Sequence, residues 1–203
     1  MPELFFKHAW IGIPFWALLY ISDYTLTLIC ARMYQNGVRD KIAFEGSYEL
    51  TPYFQRDIDS LRVISPKFVA ALLTISILLT ILWWLAQLST PAIFLFVLGA
   101  FICSQLCVHI RHIRNYYMFK AASTDAVRGR IEYSRPLSLR VSSIEMLSFS
   151  GLFLILYLST GSFFILGGVV SLITIAAKHS KLARGYVSPS VPKSKQIAAS
   201  EIG

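Results

Sequence analysis

The feature that most constrains this chain is where its charges are missing. Charged side chains are absent from Trp10 to Ala31, Phe68 to Leu88, Ala92 to Ile110, Val141 to Ser159 and Ser162 to Ala177, apart from Asp23 and Glu145. A bilayer's hydrocarbon core is about 30 Å thick, and a helix needs about 20 mostly apolar residues to cross it. The five runs meet or approach that length, and the fifth is the shortest. Only 15% of the 203 residues are charged, against about 25% in a soluble domain. A large buried core would also give that deficit. It would not confine the charges to the stretches between the runs. The pattern predicts an all-α integral membrane bundle of about five transmembrane helices, multi-pass in the cell membrane.

The last two runs are better read as two spans than one. A single helix from Val141 to Ala177 would be about 55 Å long at 1.5 Å per residue, well beyond the hydrocarbon core. Ser159-Thr160-Gly161-Ser162 supplies the turn. Leu88-Ser89-Thr90-Pro91 does the same between spans two and three, where Pro91 suits the first turn of a helix.

Orientation follows from lysine and arginine, which accumulate in cytoplasmic loops. Every one except Lys7 lies between spans one and two, between spans three and four, or after span five. The expected topology is therefore N-terminus out, both large loops and the C-terminus in. The same rule accounts for the net charge of +8 and removes the case for nucleic acid as a partner. A cleaved signal peptide is disfavoured: no small-x-small site follows the first apolar run, and Arg32 and Arg39 outweigh Lys7.

The first inner loop is expected to carry a short interfacial helix over about 52–62, started by Thr51-Pro52, with Tyr53, Phe54, Ile58 and Leu61 at helical spacing. Residues 1–186 form a single transmembrane domain with span one at 10–31. The tail 187–203, rich in Ser, Pro and Lys, reads as a disordered cytoplasmic segment.

A shift of 70 residues superimposes two hairpins, 66–116 and 136–186, without a gap. Pro66 falls on Pro136, Leu88-Ser89-Thr90 on Leu158-Ser159-Thr160, and His109, Arg111, Arg114 and Tyr116 on His179, Lys181, Arg184 and Tyr186. Each copy holds two spans, so both insert the same way round. This is a parallel repeat, with span one outside it.

Candidate chemistry is sparse. Asp23 lies eight positions before Ala31, on the order of 12 Å inside the end of span one. A carboxylate there faces protein or water, either as a proton- or cation-handling group or in a structural pair with a basic residue. Gln105 is the other notable intramembrane polar residue. Glu145 is expected to pair with Lys178 or Lys181. The two His-x-(Arg/Lys)-x-x-Arg-x-Tyr stretches, His109 to Tyr116 and His179 to Tyr186, suit an inner interface. They read as ordinary anchoring or as two related sites for an anionic, phosphate-bearing lipid or ligand. Cys103 and Cys107, with His109 and His112 below, match no strong metal spacing, so neither metal nor cofactor is expected. No phosphate-cradling glycine loop, nucleophile elbow or zinc-protease helix is present.

Glu49-Leu50-Thr51-Pro52 with Asp23 and Thr27 upstream, and the stretch from Arg128 to Arg135, resemble segments of small uncharacterised bacterial multi-pass membrane proteins. In one such group an intramembrane Asp and Thr precede a Glu-x-Asn-Pro stretch. Here Thr51 stands where that group has Asn. The resemblance covers a minor part of the chain. It implies a multi-pass protein, in a bacterium one of the inner membrane, and no activity.

Three function classes follow. The first is a non-enzymatic membrane component that binds an anionic lipid or a protein partner at its basic cytoplasmic face. The second is a small oligomeric transporter or channel using Asp23. The third is a membrane enzyme acting on a lipid or quinone, for which Glu49, Asp57, Glu132, Glu145, His109 and His179 are the supply of titratable groups. The balance leans away from an enzyme.

Overall fold

A computed structural model of the chain describes residues 2–124 and 126–186; the expected disordered tail lies outside these residues. Helix α1 (Pro2–Lys7) leads into α2 (Ala9–Gln35), and a short helix α3 (Gln55–Asp59) sits in the first loop. Then follow α4 (Pro66–Ala86), α5 (Pro91–Ser123), α6 (Arg135–Thr160) and α7 (Phe163–Arg184). Among the described residues, five helices, α2 and α4 to α7, are long and apolar enough to cross a membrane.

Three of the five start by the same device. Ser65, Thr90 and Ser134 accept a backbone N–H from Phe68, Ala92 and Leu137, with proline in the first turn each time. The hydroxyl satisfies one orphan donor, and proline spends no N–H that the helix needs.

Helix α5 is the hub. Helices α2, α4 and α7 pack against it, while α6 packs most extensively on α7 and reaches α5 through side chains, Ser142 to Arg111 and Glu145 to Arg114. Trp16, Leu79, Phe94, Leu98 and Ile102 fill one core, and Cys107, Met146, Leu172 and Ala176 another. The closest approach joins α5 and α7. A Cβ on Gly99 would run into the Phe164 carbonyl oxygen, and a Cβ on Gly167 into the Phe96 carbonyl oxygen. Only glycine permits such backbone contact, which is how helices gain packing where lipid removes the hydrophobic drive. Outward faces are apolar instead: Leu73, Ile77, Ile81 and Trp84 on α4, and Ile144, Leu147, Ile155 and Leu158 on α6, are exposed. Faces of that extent suit hydrocarbon, not water.

At 33 residues, α5 is about 50 Å long and overshoots a hydrocarbon core of about 30 Å. Its last turns, with the end of α2, carry a small cap that the sequence reading did not foresee. Strands β1 (Ile42–Phe44) and β2 (Ile131–Tyr133) pair in parallel, Ile42 opposite Ile131 and Phe44 opposite Tyr133. They join the loop after α2 to the loop after α5. Tyr34, Val38, Ile42, Phe119 and Ala122 form the core of this cap. Two three-residue strands lack the length for a periodic signal, and only the pairing across 89 positions makes them extended.

The first-loop helix is shorter than expected and is not initiated at Thr51-Pro52. Its cap position is Phe54, with no side-chain bond. The segment before it is held in turns, because Glu49 Oε1 accepts the Thr51 N–H at 2.6 Å and the Glu49 carbonyl accepts Gln55 Nε2 at 2.9 Å. Ile58 is fully buried against Tyr24, Ala31 and Phe68, so α3 is packed onto α2 and α4.

Candidate functional site

Gln105, His109 and His112 recur on α5 at intervals of four and three, which puts them on one face. That face meets α2. Ser22 is hydrogen-bonded to His109 Nε2, and His109 Nδ1 donates to the Gln105 carbonyl at 2.7 Å. Asp23 Oδ1 lies 3.1 Å from His112 Nε2. Thr27 Oγ1 donates to the Asp23 carbonyl at 2.9 Å and lies 3.2 Å from the same imidazole nitrogen. The pairing expected for Asp23 thus falls on a histidine. Cys103 and Cys107 point the other way, towards Gly168 and towards Met146, Leu172 and Ala176, so thiols and imidazoles are not brought together.

Below this contact the helices part around a cavity of about 240 Å³. Asp23 and Thr27 of α2, Gln105, Arg111 and His112 of α5, Lys178 and His179 of α7, and Glu49 and Phe54 of the first loop line it. Tyr20, Phe68 and Ile175 supply apolar wall. A second cavity of about 310 Å³, between α5, α6 and the cap, shares Glu49, Arg111 and His112 with the first.

Arg111 Nη1 donates to Ser142 Oγ at 2.7 Å, and Ser142 Oγ lies 2.9 Å from His179 Nδ1. The serine, accepting from the guanidinium, has its hydrogen left for the imidazole. This bridge couples α5, α6 and α7 at the cavity wall. Neither Arg111 nor Lys178 makes an ion pair among the described residues. Arg114, in the second cavity, does: its Nη1 lies 2.6 Å from Glu145 Oε1. That corrects the partner expected for Glu145, since Lys178 faces the first cavity and Lys181 is exposed.

The two repeated basic motifs therefore occupy unlike environments. Arg111, His179, Asp23 and Gln105 converge on the first cavity, with His109 just above. Tyr116 packs in the cap, Lys181 and Arg184 are exposed, and Tyr186 donates to Glu45 Oε1 at 3.2 Å. Glu45 and Ser142 did not stand out in the sequence, nor did Lys178 and His112 as parts of this site. The polar stripe Gln105, His109 and His112 was the available signal for His112.

Arg135 fixes the loop segment that brings Glu49 to the cavity. The Arg135 guanidinium donates to the carbonyls of Ser47, Glu49 and Leu50 at 2.9, 3.1 and 3.0 Å. Three carbonyls on one fork hold the loop segment that carries Glu49. Tyr48 beside it accepts from Asn115 Nδ2 at 3.2 Å; burial, then the nearby Cys30 thiol, push its phenol above the ordinary range.

Compared with models of known protein families, with curated proteins and with solved structures, the chain matches none.

Proposed function

We propose that this is a five-span membrane protein that binds an anionic amphiphile, one bearing a phosphate, in the cavity between α2, α5 and α7. The observation that carries this reading is the pair of cations Arg111 and Lys178. Both face a cavity with apolar walls and neither is neutralised by an ion pair among the described residues. A cation at the edge of a low-dielectric site recruits an anion more strongly than one in water. The cavity is of head-group size, near the lower end of small-ligand pockets at about 300 Å³, so acyl chains would stay in the bilayer. The lysine and arginine distribution supports N-terminus out and C-terminus in, which puts the cavity at the inner interface of the cell membrane.

The two hairpins α4–α5 and α6–α7 descend, in this reading, from one ancestral hairpin. The matched residues support it, as do the contacts of Cys103 with Gly168 and of Cys107 with Leu172 and Ala176, which run in the same sequence order along the equivalent helices α5 and α7 and so set them side by side in parallel. Divergence of the second basic motif would then have left one binding cavity instead of two.

Native mass spectrometry of the protein extracted in mild detergent tests the binding. The wild type should retain a phospholipid, and Arg111→Ala with Lys178→Ala should lose it. Equal retention by both would overturn the reading.

A second reading, a small transporter, is favoured by the exposure of Asp23 to the same cavity as polar groups of α5 and α7. Its test is solute or proton flux in proteoliposomes, abolished by Asp23→Asn.

A further inference from the structure

Ser142 of α6 accepts from Arg111 Nη1 at 2.7 Å and lies 2.9 Å from His179 Nδ1. It is 2% exposed, so both bonds are sheltered from water. A guanidinium has no lone pair to offer. The serine hydrogen therefore has one acceptor among its partners, His179 Nδ1. That fixes the tautomer: Nδ1 of the neutral ring is the lone pair, and Nε2 carries the hydrogen. Nε2 has no hydrogen-bond partner among the described residues, yet, unlike Nδ1 of His112, it is not closed off by protein. His179 is 7% exposed and lines the first cavity, so the surface left to Nε2 lies there.

Arg111 is held by the same oxygen. Ser142 is the only hydrogen-bond partner of its guanidinium among the described residues. A guanidinium has five N–H donors, and here Nε and Nη2 are neither bonded nor closed off. One buried hydroxyl thus serves side chains of α5 and α7, sets them beside each other and leaves both with donors to spare. An arginine side chain carries about 2 kcal/mol of rotamer entropy. A guanidinium already anchored loses less of it when an anion binds.

We infer that Ser142 is a positioning residue for the anion site: it sets the Arg111 guanidinium and, through Nδ1, makes the His179 imidazole present a neutral Nε2–H donor to the bound phosphate. This rests on the proposed binding at Arg111 and Lys178. It adds a third donor and the residue that aims two of the three. The next residue, Ser143, shows what a serine with a packing role does at the same helix contact. It is 3% exposed, donates to the Ala176 carbonyl and is bonded to Ser180 Oγ, both at 2.8 Å. It too ties α6 to α7, and it touches no cation.

The test adds dioleoyl phosphatidic acid to the delipidated full chain and reads its retention by native mass spectrometry. Ser142→Ala should weaken retention about tenfold, the scale of one hydrogen bond to a charged group, and Ser143→Ala should leave it unchanged. On an Arg111→Ala background the effect of Ser142→Ala should shrink, since one of the two groups that it sets is gone. Nitrogen-15 NMR of the histidine rings, assigned with His179→Gln, reads the tautomer in the wild type. Nδ1 of His179 should be bare, Nε2 should carry the hydrogen, and the lipid should shift the Nε2 resonance. If Ser142→Ala weakened retention no more than Ser143→Ala, Ser142 would be a packing residue and the inference would fall. A hydrogen on Nδ1 in the wild type, or an Nε2 resonance that ignores the lipid, would overturn it with no variant of Ser142 needed. In each of these cases a loss of retention in Arg111→Ala would leave phosphate binding itself standing. Retention indifferent to Arg111→Ala would bring down the proposed binding and the inference together.

Discussion

Asp23 of α2 and His112 of α5 approach to 3.1 Å in the lining of the cavity, with His112 almost wholly buried and Asp23 partly exposed. Two titratable groups in contact between helices make one unit, so their removals should not add. A double-mutant cycle of Asp23→Asn and His112→Gln, followed by thermal denaturation in detergent, should give an interaction energy of about 0.5–3 kcal/mol. Additivity would mean that the pair is a contact without energetic coupling.

The α5–α7 crossing should be the least tolerant part of the bundle. Gly99→Ala or Gly167→Ala forces a methyl into a backbone carbonyl, which has no rotamer to yield. A cost of about 1–3 kcal/mol or more is expected for each, as for an overpacked core. Gly151 on α6 has open space around its Cα, so Gly151→Ala should be neutral or stabilising by up to about 1 kcal/mol. Melting temperatures in one detergent compare the three directly.

Glu145 depends on Arg114 more than Arg114 depends on it. The carboxylate is 16% exposed and its Oε2 is buried without a partner, whereas the guanidinium side chain is 46% exposed. Arg114→Ala should therefore cost about 1–3 kcal/mol by stranding the acid. Adding Glu145→Gln should recover most of that loss. A double variant no more stable than Arg114→Ala would show that the arginine acts in some other way.

Arg135 holds the loop whose Glu49 lines both cavities, through three carbonyls that a lysine's single ammonium has no fork to match. Arg135→Lys should leave the bundle folded and raise the rate of limited proteolysis within 46–54. Unchanged cleavage would mean that Glu45, which accepts the Arg135 backbone N–H at 2.9 Å, is sufficient to fix the loop.

Tyr48 gives the cap an alkaline limit. Its phenol stays protonated in the folded chain above the pH, about 10, at which an unfolded tyrosine ionises. The unfolded state then binds fewer protons than the folded one, so stability is full below about pH 10 and falls as pH rises beyond it. Tyr48→Phe should flatten that part of the stability–pH curve, at the expense of the bond from Asn115 at neutral pH. Thermal melts between pH 8 and 11 would separate the two effects.

The spans were legible because each is a local property. Charge-free length defines the crossing segments, and Ser65-Pro66, Thr90-Pro91 and Ser134-Arg135-Pro136 mark helix starts that act within three residues. The cap was not legible. Ile42–Phe44 and Ile131–Tyr133 are ordinary short stretches until they meet, and α3 is shortened by bonds from Glu49 that its own spacing does not register.

The site divides along the same line. Asp23 and Gln105 stood out because a polar group at membrane depth is conspicuous in any sequence. The repeated basic motifs suggested two matching sites. Helix rotation decided otherwise: Arg111 faces the cavity, while Lys181, its counterpart, is exposed. The sequence alone determined that this chain has five helices fit to cross a bilayer, because transfer from water to lipid depends on what each segment contains. Only the tertiary structure decided which charges are paired and which face the cavity, because that depends on helix phase and on partners from other helices, such as Glu145 for Arg114, Ser142 for Arg111 and His112 for Asp23.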